Sequence, residues 1–74
     1  PEPEEARLDE YLDRLPPEQR VAVHLYYYEG YSTPEIAALV GKSESAVRMR
    51  LMRARRLLRE YLEDEEGGID RVSR

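Results

Sequence analysis

The stretch "GKSESAVRMRLMRARRLL", residues 41–58, carries five arginines and one lysine. The 74-residue chain around it is acidic, with a formal net charge of -4. Charge is therefore better read by segment than in total. Residues 1–31 hold 3 basic and 8 acidic side chains, residues 32–60 hold 7 and 3, and residues 61–74 hold 2 and 5. A basic centre lies between acidic ends. Attraction to a polyanion is a local field effect, so acidic flanks slow association without cancelling the central patch.

The segment also has helical punctuation. Gly41 suits a turn that needs positive φ, and Ser43 suits an N-cap. After Ser43 nothing breaks a helix as far as about Glu63. Val47, Leu51, Ala54, Leu58, Tyr61 and Leu62 fall on one stripe at about 100° per residue. Arg48, Arg55 and Arg59 line one flank of that stripe, while Met49, Met52, Arg53 and Arg56 face away from it.

Working outward, "STPEIAALV" (32–40) predicts a short helix over Thr33–Val40. Ser32 and Glu35 have capping-box spacing, and Ile36, Ala37, Leu39 and Val40 supply the apolar face. Upstream, a helix is predicted from Pro17, well placed as a first helical residue, to about Glu29, with Gly30 stopping it. Val21, Leu25 and Tyr28 form its expected stripe, widened by Ala22. The aromatic run "YYYEGYS" predicts cover on more than one side, with packing favoured over base stacking. A first helix is predicted from about Glu4 to Leu15 on the spacing of Leu8, Tyr11, Leu12 and Leu15. Glu4 and Glu5 complement its dipole, and "LPP" ends it. No strand signal is present. The fold class is therefore all-α: a small four-helix domain containing a helix-turn-helix with a long C-terminal recognition helix. Residues 1–63 form the domain, and 64–74 read as an acidic flexible tail.

Composition narrows the chemistry. There is no cysteine, and His24 is the one histidine, a core or boundary residue rather than a ligand. No metal, cofactor or small-molecule substrate is implied, and no paired carboxylate cleft, nucleophile set or phosphate loop can be placed, so an enzyme is not expected. No apolar run approaches the roughly 18 residues of a membrane span. The chain begins with proline, which suggests a piece of something longer.

The third and fourth helices are joined by Gly41-Lys42-Ser43 alone, the spacing of a helix-turn-helix. Ala37 is small where the two helices approach, and Val47 returns an apolar side chain to the core. In this motif the second helix presents its N-terminal residues to base edges in the major groove. Its first turn here is small and polar: Ser43, Glu44, Ser45 and Ala46. Ser45 can donate or accept, Glu44 can accept from a cytosine amine, and Ala46 can meet a thymine methyl. Arg48 reaches a guanine or a phosphate. Arg50, Arg53 and Arg55 suit phosphate contact. Met49 and Met52 read as contacts to thymine methyls or sugars.

These residues also resemble a known family. Leu15, Pro16 and Arg20 form L-P-x-x-x-R. Tyr27 to Ala37 form Y-x-E-G-x-S-x-x-E-I-A, and Gly41 to Leu58 form G-x-S-x-x-x-V-R-x-R-L-x-R-A-R-x-x-L. Together they resemble region 4 of bacterial sigma factors, most of all the extracytoplasmic-function type, over about Leu15–Glu60. The resemblance implies a cytoplasmic domain that binds double-stranded promoter DNA at the minus-35 element. It also implies docking on the flap of the RNA polymerase core β subunit through an apolar groove, and an anti-sigma factor that covers the same surfaces. By position it places DNA contacts at Ser43, Glu44, Ser45, Ala46, Arg48, Met49, Met52, Arg53 and Arg55, with backbone contact at Ser32, Thr33 and Arg50. Tyr26 stands where the family commonly has an arginine, and Met49 and Met52 where it often has polar or aromatic residues. Two other readings share features of this chain. The effector domain of a LuxR-type response regulator shares the E-G-x-S-x-x-E-I-A core but ends its recognition helix sooner. A helical protein-interaction module would suit the acidic ends.

Overall fold

The computed structural model describes the backbone of residues 3–73 and the side chains of residues 8–64. The element order is α1 (Pro3–Arg14), α2 (Pro17–Val23) running on into a π-helical turn (His24–Tyr28), α3 (Thr33–Val40) and α4 (Glu44–Ser73). The described residues contain no strand. The side chains of Glu4 and Glu5 lie outside those described.

The helix limits follow local chemistry. Pro17 occupies the first turn of α2, where its missing N–H leaves no bond unmade. Ser32 caps α3 in a complete capping box. The Glu35 N–H donates to Ser32 Oγ (3.3 Å), and the Ser32 N–H donates to Glu35 Oε1 (2.8 Å). Gly41 ends α3 at φ 72°, ψ 36°, in the left-handed region. There the Lys42 N–H donates back to the Ala37 carbonyl (3.0 Å). Ser43 Oγ then accepts from the Ala46 N–H (3.1 Å) and opens α4.

One fully buried cluster holds the helices together. Ile36, Val47 and Ala54 are each 0% exposed, with Leu51, Leu12, Leu15, Ala22, Val23 and Ala37 around them. Leu25, Val40, Leu57, Leu58 and Tyr61 pack against its edge. At roughly 1.5–3 kcal/mol per fully buried aliphatic side chain, this face of α4 is a major source of stability. A second contact closes the far end. Tyr61 Oη donates to the Arg14 carbonyl (3.4 Å), and the Arg14 guanidinium lies 5.5 Å from the Tyr11 ring and 5.7 Å from the Tyr61 ring.

Leu8, Leu39 and Leu62, expected on apolar faces, are exposed, and three further features differ from the sequence reading. First, α2 buries Ala22 and Val23, while Val21 and Tyr28 are exposed and Leu25 is half-buried. The expected stripe assumed a uniform step of about 100° per residue. Within Pro17–Val23 that step holds, and the buried face is centred on Ala22 and Val23 instead. The step breaks only afterwards, in the π-helical turn, where the Glu29 N–H donates to the His24 carbonyl five residues back (3.0 Å), and the Tyr31 N–H then closes the helix end on the Leu25 carbonyl (2.9 Å). Second, Tyr26, Tyr27, Tyr28 and Tyr31 are not covered; Tyr27 is 52% exposed. Three of them stack edge to face instead, Tyr26 with Tyr27 (4.9 Å) and Tyr28 with His24 (5.3 Å). Third, the helical backbone of α4 does not stop near Glu63 but continues to Ser73. No proline interrupts residues 64–73, and glycine costs a helix only about 1 kcal/mol relative to alanine.

A Cβ added to Gly41 would meet nothing within 4 Å, so only the backbone conformation resists substitution. Gly41→Ala should therefore cost about 1–2 kcal/mol. In a domain this small, thermal unfolding should show that as a Tm lowered by roughly 4–8 °C per kcal/mol.

Candidate nucleic-acid interface

The buried stripe of α4 decides what its other side presents. With Val47, Leu51 and Ala54 facing the core, Ser45, Met49, Met52 and Arg56 point the opposite way at about 100° per residue. Arg48, Arg55 and Arg59 flank them on one side and Arg53 on the other. All of these side chains are exposed, Met49 and Met52 each at 42%. Ala46 is half-buried. The result is a continuous convex face of arginine, methionine and small polar residues.

The structure does not treat all the expected contact residues alike. Ser32 and Ser43 are exposed, and the oxygen of each is used in capping. Thr33 is half-buried, and its Oγ1 donates to Glu44 Oε1 (3.0 Å), which bridges the first turns of α3 and α4. The same Oε1 accepts from Arg48 Nη2. Arg50 is half-buried on the flank of the core stripe, on the Arg53 side of α4. Arg55 Nε donates to Tyr27 Oη (2.7 Å), and its guanidinium lies 5.9 Å from the Tyr27 ring.

Arg56 and Arg59 complete the cationic face, lining a shallow hollow with Met52 and Arg55. They were not among the expected contacts, although their angular position on α4 was already readable from the spacing. Adjoining this hollow through Arg55, which lines both, Leu8, Leu12, Val23, Tyr27, Tyr28 and Leu58 line a groove that is almost wholly apolar. Among the described residues, no helix is long and apolar enough to cross a membrane, and no group of three or more His, Cys, Asp or Glu could hold a metal ion.

Two helices locked at a three-residue glycine turn, the second with a small polar first turn facing outward, define a helix-turn-helix domain. The family described as Sigma-70, region 4 matches residues 5–58, and the chain belongs to that family. It is 49% identical over 57 residues to the ECF RNA polymerase sigma factor SigE of Mycolicibacterium smegmatis, an alignment covering 77% of this chain and 22% of that protein. It is 44% identical over 59 residues to the probable RNA polymerase sigma factor RfaY of Xanthomonas campestris pv. campestris, covering 80% of this chain and 15% of that protein. The chain thus spans less than a quarter of the length of either relative. The unbroken α4 also argues against the LuxR-type reading, which expects a break near residues 56–60.

The capping box makes α3 sensitive to pH. The Ser32 backbone amide, and secondarily its hydroxyl, hold the Glu35 carboxyl below its usual range. A depressed folded-state value contributes stability that is present above the ordinary carboxylate range and lost as pH falls through the lowered value. Urea midpoints should therefore decline with acidification through that window. Glu35→Gln, which keeps a capping-box side chain, should flatten its contribution to the decline.

Proposed function

We propose that this chain is the promoter-reading C-terminal part of an extracytoplasmic-function sigma factor. In this reading it binds double-stranded DNA at the minus-35 element and positions RNA polymerase, without catalysis. The observation that carries the reading is the division of α4: a fully buried Val47–Leu51–Ala54 stripe on one side and an exposed arginine-methionine face on the other. A helix with that division can enter a major groove while its back stays in the core.

The first turn of α4 supplies the approach. Ser45 and Ala46 meet base edges, with Arg48 beside them for a guanine. Met49 and Met52 lie against thymine methyls or sugars. Arg53 and Arg55 contact phosphate, Arg50 does so from the flank, and Ser32, Thr33 and Ser43 lie near the backbone. The apolar groove lined by Leu8, Leu12, Val23, Tyr27, Tyr28 and Leu58 suits the flap of the polymerase β subunit. An anti-sigma factor would cover these same surfaces. Residues 1–63 are the binding unit, the acidic stretch 64–74 lies beyond it, and the setting is the cytoplasm, where promoters and polymerase are found.

Two substitutions separate base reading from charge. Arg48→Ala should weaken binding and blur sequence preference, at a cost of about 1–3 kcal/mol at one base position. Arg53→Ala should weaken all sequences alike and reduce the slope of log K against log salt by about one. Fluorescence anisotropy against promoter duplexes over a salt series measures both. Wild-type behaviour from both variants would sink the groove assignment.

A further inference from the structure

Glu44 opens the helix that faces outward, and from its sequence position it reads as a base-contacting acceptor. The geometry points elsewhere. Its Oε1 accepts from Thr33 Oγ1 at 3.0 Å and also from Arg48 Nη2, so one carboxylate oxygen ties together the start of α3, the start of α4 and an arginine one turn further on. We infer that Glu44 is a positioning residue for Arg48, setting the direction from which that arginine meets a base, and does not itself read one. This rests on the DNA-binding reading above.

Three observations carry the inference. The first is that this is more than a surface i,i+4 pair. Such a pair joins two residues of one helix and leaves both free to move with it, whereas the half-buried Thr33 belongs to α3 and anchors the carboxylate from a different helix. The second is selectivity. Among the described residues, Arg48 is the one arginine of α4 in an ion pair with a carboxylate. Arg53, Arg56 and Arg59, suited to the unspecific phosphate field, carry no such tether among the described residues. The third is capacity. A guanidinium has five N–H donors in a fixed fork, and the bond to Glu44 uses one of them. The rest remain for the paired acceptors of a guanine edge. The Glu44 oxygen that holds both donors is by contrast committed to Thr33 and Arg48, which leaves only Oε2 for any other donor. Holding the long Arg48 side chain before DNA arrives also removes part of its ordering cost on binding.

The test is a double-mutant cycle read as base preference. The 74-residue chain as wild type, Glu44→Ala, Arg48→Ala and the double variant are each used to select from a duplex pool with a randomised window. Binding is then measured by salt titration on the selected and the single-mismatch duplexes. Glu44→Ala should lose about tenfold of the preference at the position that Arg48 reads. In the Arg48→Ala background the same change should alter no base preference. Removal of the carboxylate also frees Arg48 for a phosphate, so the salt slope of Glu44→Ala should steepen by about 0.9 while preference falls. A merely structural role would not produce that combination. Thr33→Val keeps the charge and removes the anchor, and should lose part of the same preference. Circular dichroism checks that each variant is folded.

If Glu44→Ala erases preference at a base position equally in both backgrounds, Glu44 reads that base directly and the inference is overturned. Unchanged preference in Glu44→Ala overturns it as well. A wild-type chain that selects no sequence brings down the DNA reading itself, and the inference with it. That failure shows in the wild type alone, so it is distinguishable from the other two.

Discussion

The three residues between α3 and α4 are the constraint on which the rest depends. Gly41 in a left-handed conformation turns the chain, Lys42 bonds back to Ala37, and Ser43 caps the next helix. So short a link leaves the second helix little choice of direction. Ile36 and Val47, both fully buried, meet at the crossing, and Leu51 and Ala54 extend the contact along α4. Once that stripe is seated, helical geometry alone turns Ser45, Met49, Met52 and the arginines outward. The exposed face follows from the core, and only Arg48, through Glu44, and Arg55, through Tyr27, are placed further by side-chain contacts of their own among the described residues.

The remaining helices are bracing. α2 packs on α4 with its Ala22 and Val23 inward, and α1 adds Tyr11 and Leu12, with Leu15 just after its end. Arg14 joins the ends by lying over two tyrosine rings, one from α1 and one from α4. Arg20 Nη1 donates to the Asp13 carbonyl (3.1 Å), fixing the corner between α1 and α2.

Legibility from sequence divides along the same line. α3, the turn and the buried stripe of α4 were readable because capping, positive φ and period 3.6 each have a residue signature at a defined offset. Ser32, Glu35, Gly41, Ser43, Val47, Leu51 and Ala54 all behave as their spacing implies. The face of α2 was misread because Val21, Ala22 and Val23 are all apolar, so periodicity does not say which of them turns inward, and the π-helical turn that follows carries no residue signature either. The Thr33–Glu44 bond was invisible for another reason. It joins residues eleven apart across a turn, and depends on the angle between helices rather than on either helix's own pattern. The continuation of α4 past Glu63 shows that acidic composition alone does not end a helix that has no proline.

The π-helical turn at His24–Tyr28 has a consequence for how such a domain can change its surface. A turn of this kind is an ordinary helical turn with one residue too many, accommodated by a wider loop of backbone. Gly30 follows at once with φ 79° and resets the direction of the chain before α3 begins. The surplus residue is thus isolated between α2 and a swivel. Losing it would regularise the helix and swing the tyrosines around its axis, while Ala22, Val23 and the crossing at Ile36 keep their places. The azimuth of the aromatic surface therefore depends on the length of this segment as well as on its composition, while Leu25 within it packs against the core and Tyr27 holds Arg55 of α4.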